Sequence, residues 1–290
     1  MGHIIQPDWE QLRQQFYIVN QPQPDSIYHI PFTELATPEG MKAFLEDYAP
    51  RLGASDLAPA ATFFCSWLTG LPLAMQYYLS VHQTGIRLSL EQLTLHMYMS
   101  GAYCQFAFEV DTLSLQSLSA EHEVTDELEV SNDHATRHIL YESSWNGDRE
   151  TFRYEVMTAM YTEVLRPLME CMAEVTGEHV RMLWRQLPAR YYYFVALWQQ
   201  QAEEPVKSQL EQDLHYVLHE LPADVFALSR NPLAVPPRYT DNLERNGQVL
   251  IRSACCLYHQ MDDGDYCFNC PKLSKNTREE RRLAHSLKEG

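Results

Sequence analysis

The sequence predicts an α+β fold, predominantly helical, with an antiparallel β-hairpin at about residues 93–110 and a C-terminal cysteine-rich segment. Three observations lead there. Apolar residues recur at helical spacing from Phe152 to Val175, they alternate singly on both sides of Ser100-Gly101, and four of the seven cysteines fall between residues 255 and 270. A chain of 290 residues can bury a core without disulfide staples. The change of character near residue 229 divides it into a mainly helical body, residues 1–228, and a C-terminal segment, residues 229–290, packed on that body.

Taken in order, the first forty residues carry Pro7, Pro22, Pro24, Pro31 and Pro38. Beyond a short helix around Trp9 to Phe16 they should therefore run extended over the rest. Thr37-Pro38-Glu39 starts a helix to about Tyr48, with proline just inside its beginning. From Leu57 to Ile86 there is no Asp, Glu, Lys or Arg. Pro59, Pro72, Gln76 and His82 interrupt that stretch and Ser55-Asp56 caps it, so it reads as a buried helix pair, with membrane contact at most peripheral. Leu93, Leu95, Met97 and Met99 alternate before the Ser100-Gly101 turn, and Tyr103 to Val110 returns as the second strand. This hairpin is the clear β signal. The acidic stretch 119–134 lacks period and reads as a solvated loop.

The helical half begins near Arg149 and runs to Gly177, with Pro167 expected to kink its later turns. A second helical run extends from Leu183-Trp184 to Trp198 through Tyr191-Tyr192-Tyr193-Phe194, and a third from Pro205 to Leu221. The proline-bearing crossing at 229–237 excludes regular helix. Arg245-Asn246-Gly247-Gln248 then turns into a short strand, Val249 to Ile251, which delivers the chain to the cysteines.

Charge and glycine spacing exclude several classes. With 22 Lys plus Arg against 39 Asp plus Glu, the formal charge is −17, which argues against nucleic acid as a partner. No two of the 11 glycines lie closer than 13 residues, so neither GxGxxG nor GxxxxGK exists in the chain. A redox enzyme built this way has no Rossmann nucleotide of its own, and its electrons come from a partner. The N-terminus shows no basic then apolar leader, so a reducing cytoplasm is the expectation and a disulfide framework is not.

Cys65, Cys104 and Cys171 each stand alone in apolar or amphipathic surroundings and read as small core residues. Cys255, Cys256, Cys267 and Cys270 form the run CC-x10-CxxC. Four thiolates suit both a zinc knuckle and a [2Fe–2S] cluster. Adjacent cysteines diverge and strain a single tetrahedron, which leans toward the cluster while leaving zinc and thiol redox chemistry open.

Arg252-x-x-Cys255-Cys256, the ten-residue gap and Cys267-x-x-Cys270 near the C-terminus resemble the FhuF-like ferric siderophore reductase family. A more diffuse similarity covers Arg166-Pro167-Leu168, Thr176-Gly177 and Leu183-Trp184. The resemblance implies a [2Fe–2S] cofactor held by Cys255, Cys256, Cys267 and Cys270, and a one-electron reduction of an Fe(III)-siderophore that releases Fe(II). No nucleophile or general base is then needed. Arg252, His259 and Trp184 become candidates for contacting the cluster or the substrate, and the body becomes the siderophore-binding region. The overall charge favours a neutral or cationic hydroxamate chelate over an anionic catecholate. A ferredoxin, a flavodoxin or an NAD(P)H-dependent reductase is expected as donor, docking near the basic tail at Arg278, Arg281 and Arg282. A zinc-stabilised or cluster-containing binding protein without turnover is the alternative.

Overall fold

The computed structural model describes residues 6–118, 127–132, 135–142, 145–243 and 247–289. Helix α1 (Trp9–Phe16) is capped by the Asp8 carboxylate, which accepts from the Gln11 N–H, and it buries Leu12 and Phe16. Two strands follow, β1 (Ile18–Val19) and β2 (Ser26–Pro31), then α2 (Phe32–Leu35) and α3 (Pro38–Arg51). Thr37 caps α3, with Pro38 at its first position.

The charge-free stretch forms α4 (Leu57–Leu68) and α5 (Gly70–His82). It is long and apolar enough to cross a membrane, yet 78% of its apolar window is buried inside the protein. Helix α4 packs against α3 and α5, and Phe64 on α4 meets Phe44 on α3 at a ring-centroid distance of 4.7 Å. Each fully buried aromatic of this kind contributes roughly 1.5–3 kcal/mol relative to exposure.

After β3 (Thr84–Arg87) comes the expected hairpin, β4 (Leu93–Ser100) and β5 (Tyr103–Val110), paired from Leu93 opposite Val110 to Ser100 opposite Tyr103. Gly101 supplies the φ of +62° that the turn requires. The hairpin is the centre of a four-stranded sheet of order β1-β5-β4-β2, with β1 parallel to β5. A second four-stranded sheet joins β3 to β6 (Thr112–Ser117), β7 (Glu127–Asn132) and β8 (Ala135–Glu142) in the order β3-β6-β8-β7. Strand β7 corrects the expected loop at 119–134. Glu127-Leu128-Glu129-Val130 has period two, a short signal that the surrounding carboxylates obscure. Residues 119–126 and 133–134 of that stretch lie outside the described residues.

The helical half is α6 (Arg149–Ala159), a π-helical turn over Met160–Leu165, and α7 (Arg166–Thr176), which ends at Gly177 in left-handed conformation. The π turn leads without a break into α7, so Pro167 sits inside one helical run from Arg149 to Thr176, directly after its widened turn. A proline ring would collide with the carbonyl four residues earlier, and the wider π turn shifts the register before it. The expected run from Leu183 to Trp198, by contrast, divides into α8 (Val180–Trp184) and α9 (Pro188–Gln201), because Pro188 opens the second piece. Helix α10 (Val206–His215) passes into a π-helical turn at Tyr216–Glu220.

The crossing after residue 228 has no regular helix or strand until the hairpin of β9 (Tyr239–Asp241) and β10 (Gln248–Leu250). Arg245 and Asn246 of its expected turn lie outside the described residues. Helix α11 (Lys275–Glu289) closes the chain. Away from the cysteines, Asp213 on α10 is fully buried and accepts from Ser80 of α5 at 2.7 Å and from both terminal nitrogens of Arg149 on α6, at 3.0 and 2.7 Å. This charged network ties three helices together at one point.

Candidate metal centre

The cysteine segment is held from three sides. Within it, Cys256 is followed by Leu257 at a φ of +58°, a conformation that is strained for a branched side chain and that turns the chain sharply after the double cysteine. The Thr62 hydroxyl on α4 donates to the Cys256 carbonyl at 2.7 Å, and the Gln186 amide donates to the Cys255 carbonyl at 3.0 Å. The intervening loop is stitched to the α3–α4 turn by Asp262 N–H donating to the Gly53 carbonyl at 2.6 Å. Gly264 lets that loop close, since a Cβ there would stand 2.0 Å from the Tyr258 carbonyl oxygen. On the far side, the Arg252 N–H donates to the Asn269 carbonyl at 2.9 Å, and the Asn269 amide returns to the Leu250 carbonyl at 3.2 Å.

This backbone sorts the four sulfurs into two pairs, each taking one member of the CC and one of the CxxC. Cys255 Sγ and Cys270 Sγ are 3.6 Å apart, and Cys256 interacts with Cys267. Two thiolates on one tetrahedral metal, with bonds of about 2.3 Å, stand about 3.8 Å apart, so the 255–270 spacing suits one iron. Among the described residues, no three His, Cys, Asp or Glu side chains close around a single point. Two pairs of thiolates form the donor set of a two-iron cluster. Cys255, Cys256 and Cys270 are buried and Cys267 is partly exposed.

The electrostatics favour bound thiolate on one pair. The Cys267 thiol as donor, with the Arg252 guanidinium beside it, holds Cys256 well below the ordinary thiol range, whereas Cys256 and burial push Cys267 up. Burial pushes Cys255 up as well. A thiolate at Cys256 is a ready ligand, since metals bind the deprotonated sulfur.

Of the further candidates, Arg252 and His259 are brought to the cysteines and Trp184 is not. His259 Nδ1 lies 3.9 Å from Cys255 Sγ, its ring stacked on Tyr266 at 4.1 Å. Trp184 is fully buried between Tyr161 and Phe226 and does not line the cavity beside the cysteines, which corrects the expectation of a cluster or substrate contact. Its large apolar ring is worth most in the core. Tyr191 is buried too, hydrogen-bonded to Tyr161. Cys65, Cys104 and Cys171 are buried, as expected for small core residues.

A cavity of about 740 Å³ opens between α4, α9 and the cysteine segment. Phe63 and Trp67 come from α4, and Arg190, Tyr192 and Phe194 from α9. The β9–β10 hairpin adds Tyr239, Val249 and Leu250. Arg252, Ser253 and Asn269, the residues that flank and interrupt the clustered cysteines, also line it. The aromatic run Tyr192-Tyr193-Phe194 is the part of this wall that stands out in the sequence; the rest does not, because it comes from segments as far apart as Tyr17 and Asn269.

The basic tail is engaged in the site. Arg278 of α11 donates to the carbonyls of Phe268 and Cys270, and Arg281 donates to the Tyr266 carbonyl and to Asp265 at 2.7 Å. These two arginines brace the CxxC loop. Arg282 pairs with Glu279 at 2.6 Å on the same helix.

Residues 252–272 match the family model described as the FhuF 2Fe-2S C-terminal domain, a span that includes all four clustered cysteines. No curated protein and no solved structure gives a match. Over this segment the chain carries a FhuF-type 2Fe-2S C-terminal domain, and its cofactor is a [2Fe–2S] cluster.

Proposed function

We propose that this protein is a ferric-siderophore reductase, with Cys255, Cys256, Cys267 and Cys270 as the cluster ligands and the adjoining cavity as the place where the ferric chelate sits. One observation carries the reading: Arg252, Ser253 and Asn269 belong at once to the cysteine segment and to the wall of a cavity of about 740 Å³, a size that receives a small molecule. A [2Fe–2S] group held there supplies one electron at a time to the ferric ion, and a one-electron donor of the ferredoxin or flavodoxin kind, or an NAD(P)H-dependent reductase, restores it.

The residues of the chain do the rest. Hard oxygen donors hold Fe(III) far more tightly than Fe(II), so reduction alone loosens the chelate. The cavity brings the chelate beside the sulfurs, Arg252 offers positive charge to them, and His259 Nδ1 faces Cys255 Sγ, the kind of contact that tunes a metal site. In this proposal electrons enter on the side of Cys267, a reading supported by its partial exposure. The place of action in this proposal is the cytoplasm, where freed Fe(II) is used.

The test is anaerobic reduction of the holoprotein with dithionite, removal of excess reductant, and addition of a ferric siderophore in the presence of a ferrous-specific chromophore. The proposal expects Fe(II) in amounts equivalent to the reduced cluster. Fe(II) no greater than with a cluster-free Cys256→Ser variant would reject reduction and leave only siderophore binding.

A further inference from the structure

We infer that the cavity takes a negatively charged chelate of Fe(III) built on aryl rings, of the tris-catecholate class, with Arg190 and Arg252 facing its anionic oxygens and the aromatic walls receiving its rings. The inference deepens the reductase reading and rests on it for the identity of the metal.

The first support is the charge of the walls. In a chain with formal charge −17, the described residues lining the cavity include Arg190 and Arg252 and not one Asp, Glu or Lys. Distant carboxylates are screened over about 8 Å at physiological ionic strength, whereas two guanidinium groups against low-dielectric walls act at contact. Whole-chain charge, which favours hydroxamates, is therefore the weaker guide to what enters.

The second support is that each guanidinium group keeps a buried nitrogen without an acceptor. The Nε of Arg190 and of Arg252 is buried and has no hydrogen-bond acceptor, and among the described residues neither side chain is in an ion pair. Arg252 also faces Cys256 and Cys267. Arg190 has only the Tyr17 hydroxyl, at 3.0 Å, and the faces of Tyr17 and Phe194. A partly buried guanidinium with one unsatisfied nitrogen and no carboxylate in an ion pair with it among the described residues favours an anion beside it.

The third support is the composition of the remaining wall. Trp67, Phe63, Tyr192, Tyr193 and Phe194 line the cavity together with Arg190, whose guanidinium lies 5.4 Å from the Phe194 ring centre, and Tyr193 is 63% exposed. Aryl ligands stack on such faces, a gain that the aliphatic arms of a hydroxamate chelate do not share.

The test uses Ga(III), which forms the same complexes and is not reduced, so that binding is measured apart from turnover. Calorimetric titration of the holoprotein compares a gallium tris-catecholate with a neutral gallium tris-hydroxamate. The tris-catecholate should bind about tenfold tighter or more, Arg190→Gln should remove most of that preference, and Arg190→Lys should restore part of it. Affinity for the tris-catecholate should fall as salt rises. Equal or tighter binding of the tris-hydroxamate by the unaltered protein, or tris-catecholate binding that strengthens with salt, would overturn the inference. A preference that persists in a holoprotein unable to release Fe(II) would support it while rejecting the reductase reading.

Discussion

Cys255 Sγ lies 3.6 Å from Cys270 Sγ, while its neighbour in sequence, Cys256, faces Cys267 instead. The side chains of the adjacent pair diverge, and that divergence sends one cysteine of the CC to each sulfur of the CxxC. The geometry that strains a one-metal site serves a two-metal one.

Serine at any of the four positions should therefore abolish the centre. Cys255→Ser, Cys256→Ser, Cys267→Ser and Cys270→Ser should each lose the visible absorption together with iron and acid-labile sulfide. Cys65→Ala, Cys104→Ala and Cys171→Ala should keep them, because those thiols are buried elsewhere. Iron and sulfide analysis of the purified variants checks the assignment; full loading of any one of the four serine variants would remove that residue from the ligand set.

Thr62 reaches 194 residues along the chain to donate to the Cys256 carbonyl. Thr62→Val keeps the shape and removes the hydroxyl, leaving a buried acceptor unpaired at a cost of about 1–3 kcal/mol. The variant should unfold at lower denaturant concentration and bleach faster when challenged with an iron chelator. Unchanged bleaching would mean that α4 does not steady the double cysteine.

The tail arginines give a third expectation. A basic tail that served only to dock an acidic donor would be dispensable for chemical reduction. Since Arg278 and Arg281 hold the carbonyls of Phe268, Cys270 and Tyr266, truncation at Lys275 should instead release the CxxC loop. Arg278→Ala with Arg281→Ala should shorten cluster lifetime several-fold even with dithionite as reductant, since hydrogen bonds to charged groups are worth about 1.5–3 kcal/mol each. Cluster decay followed at visible wavelengths distinguishes the two roles.

The Asp213 network is the predicted weak point of the body. Asp213→Ala removes a fully buried carboxylate and leaves the partly buried Arg149 and Arg153 without it, which should cost about 3–5 kcal/mol. Urea unfolding of the variant should show that loss as a lowered midpoint with an unchanged slope. A change below about 1 kcal/mol would mean that water replaces the carboxylate there.

What the sequence determined by itself was local. Period and capping are properties of neighbouring residues, so Trp9–Phe16, the helix begun by Thr37-Pro38 and the Ser100-Gly101 hairpin were legible in it, as was the spacing of the cysteines. The second sheet was not, since β6 and β8 pair in parallel across a connection that no local signal announces. Pro167 and Pro188 were visible as interruptions, but whether each bends a helix or begins one depends on how the turn before it packs. Trp184 illustrates the same limit: an aromatic beside a family-like motif carries no label saying core or cavity. Tertiary structure alone decided which cysteine meets which, and it alone set Arg190, Arg252 and the rings of α4 and α9 around one space, because contacts over such separations arise only when the helices bury their common core.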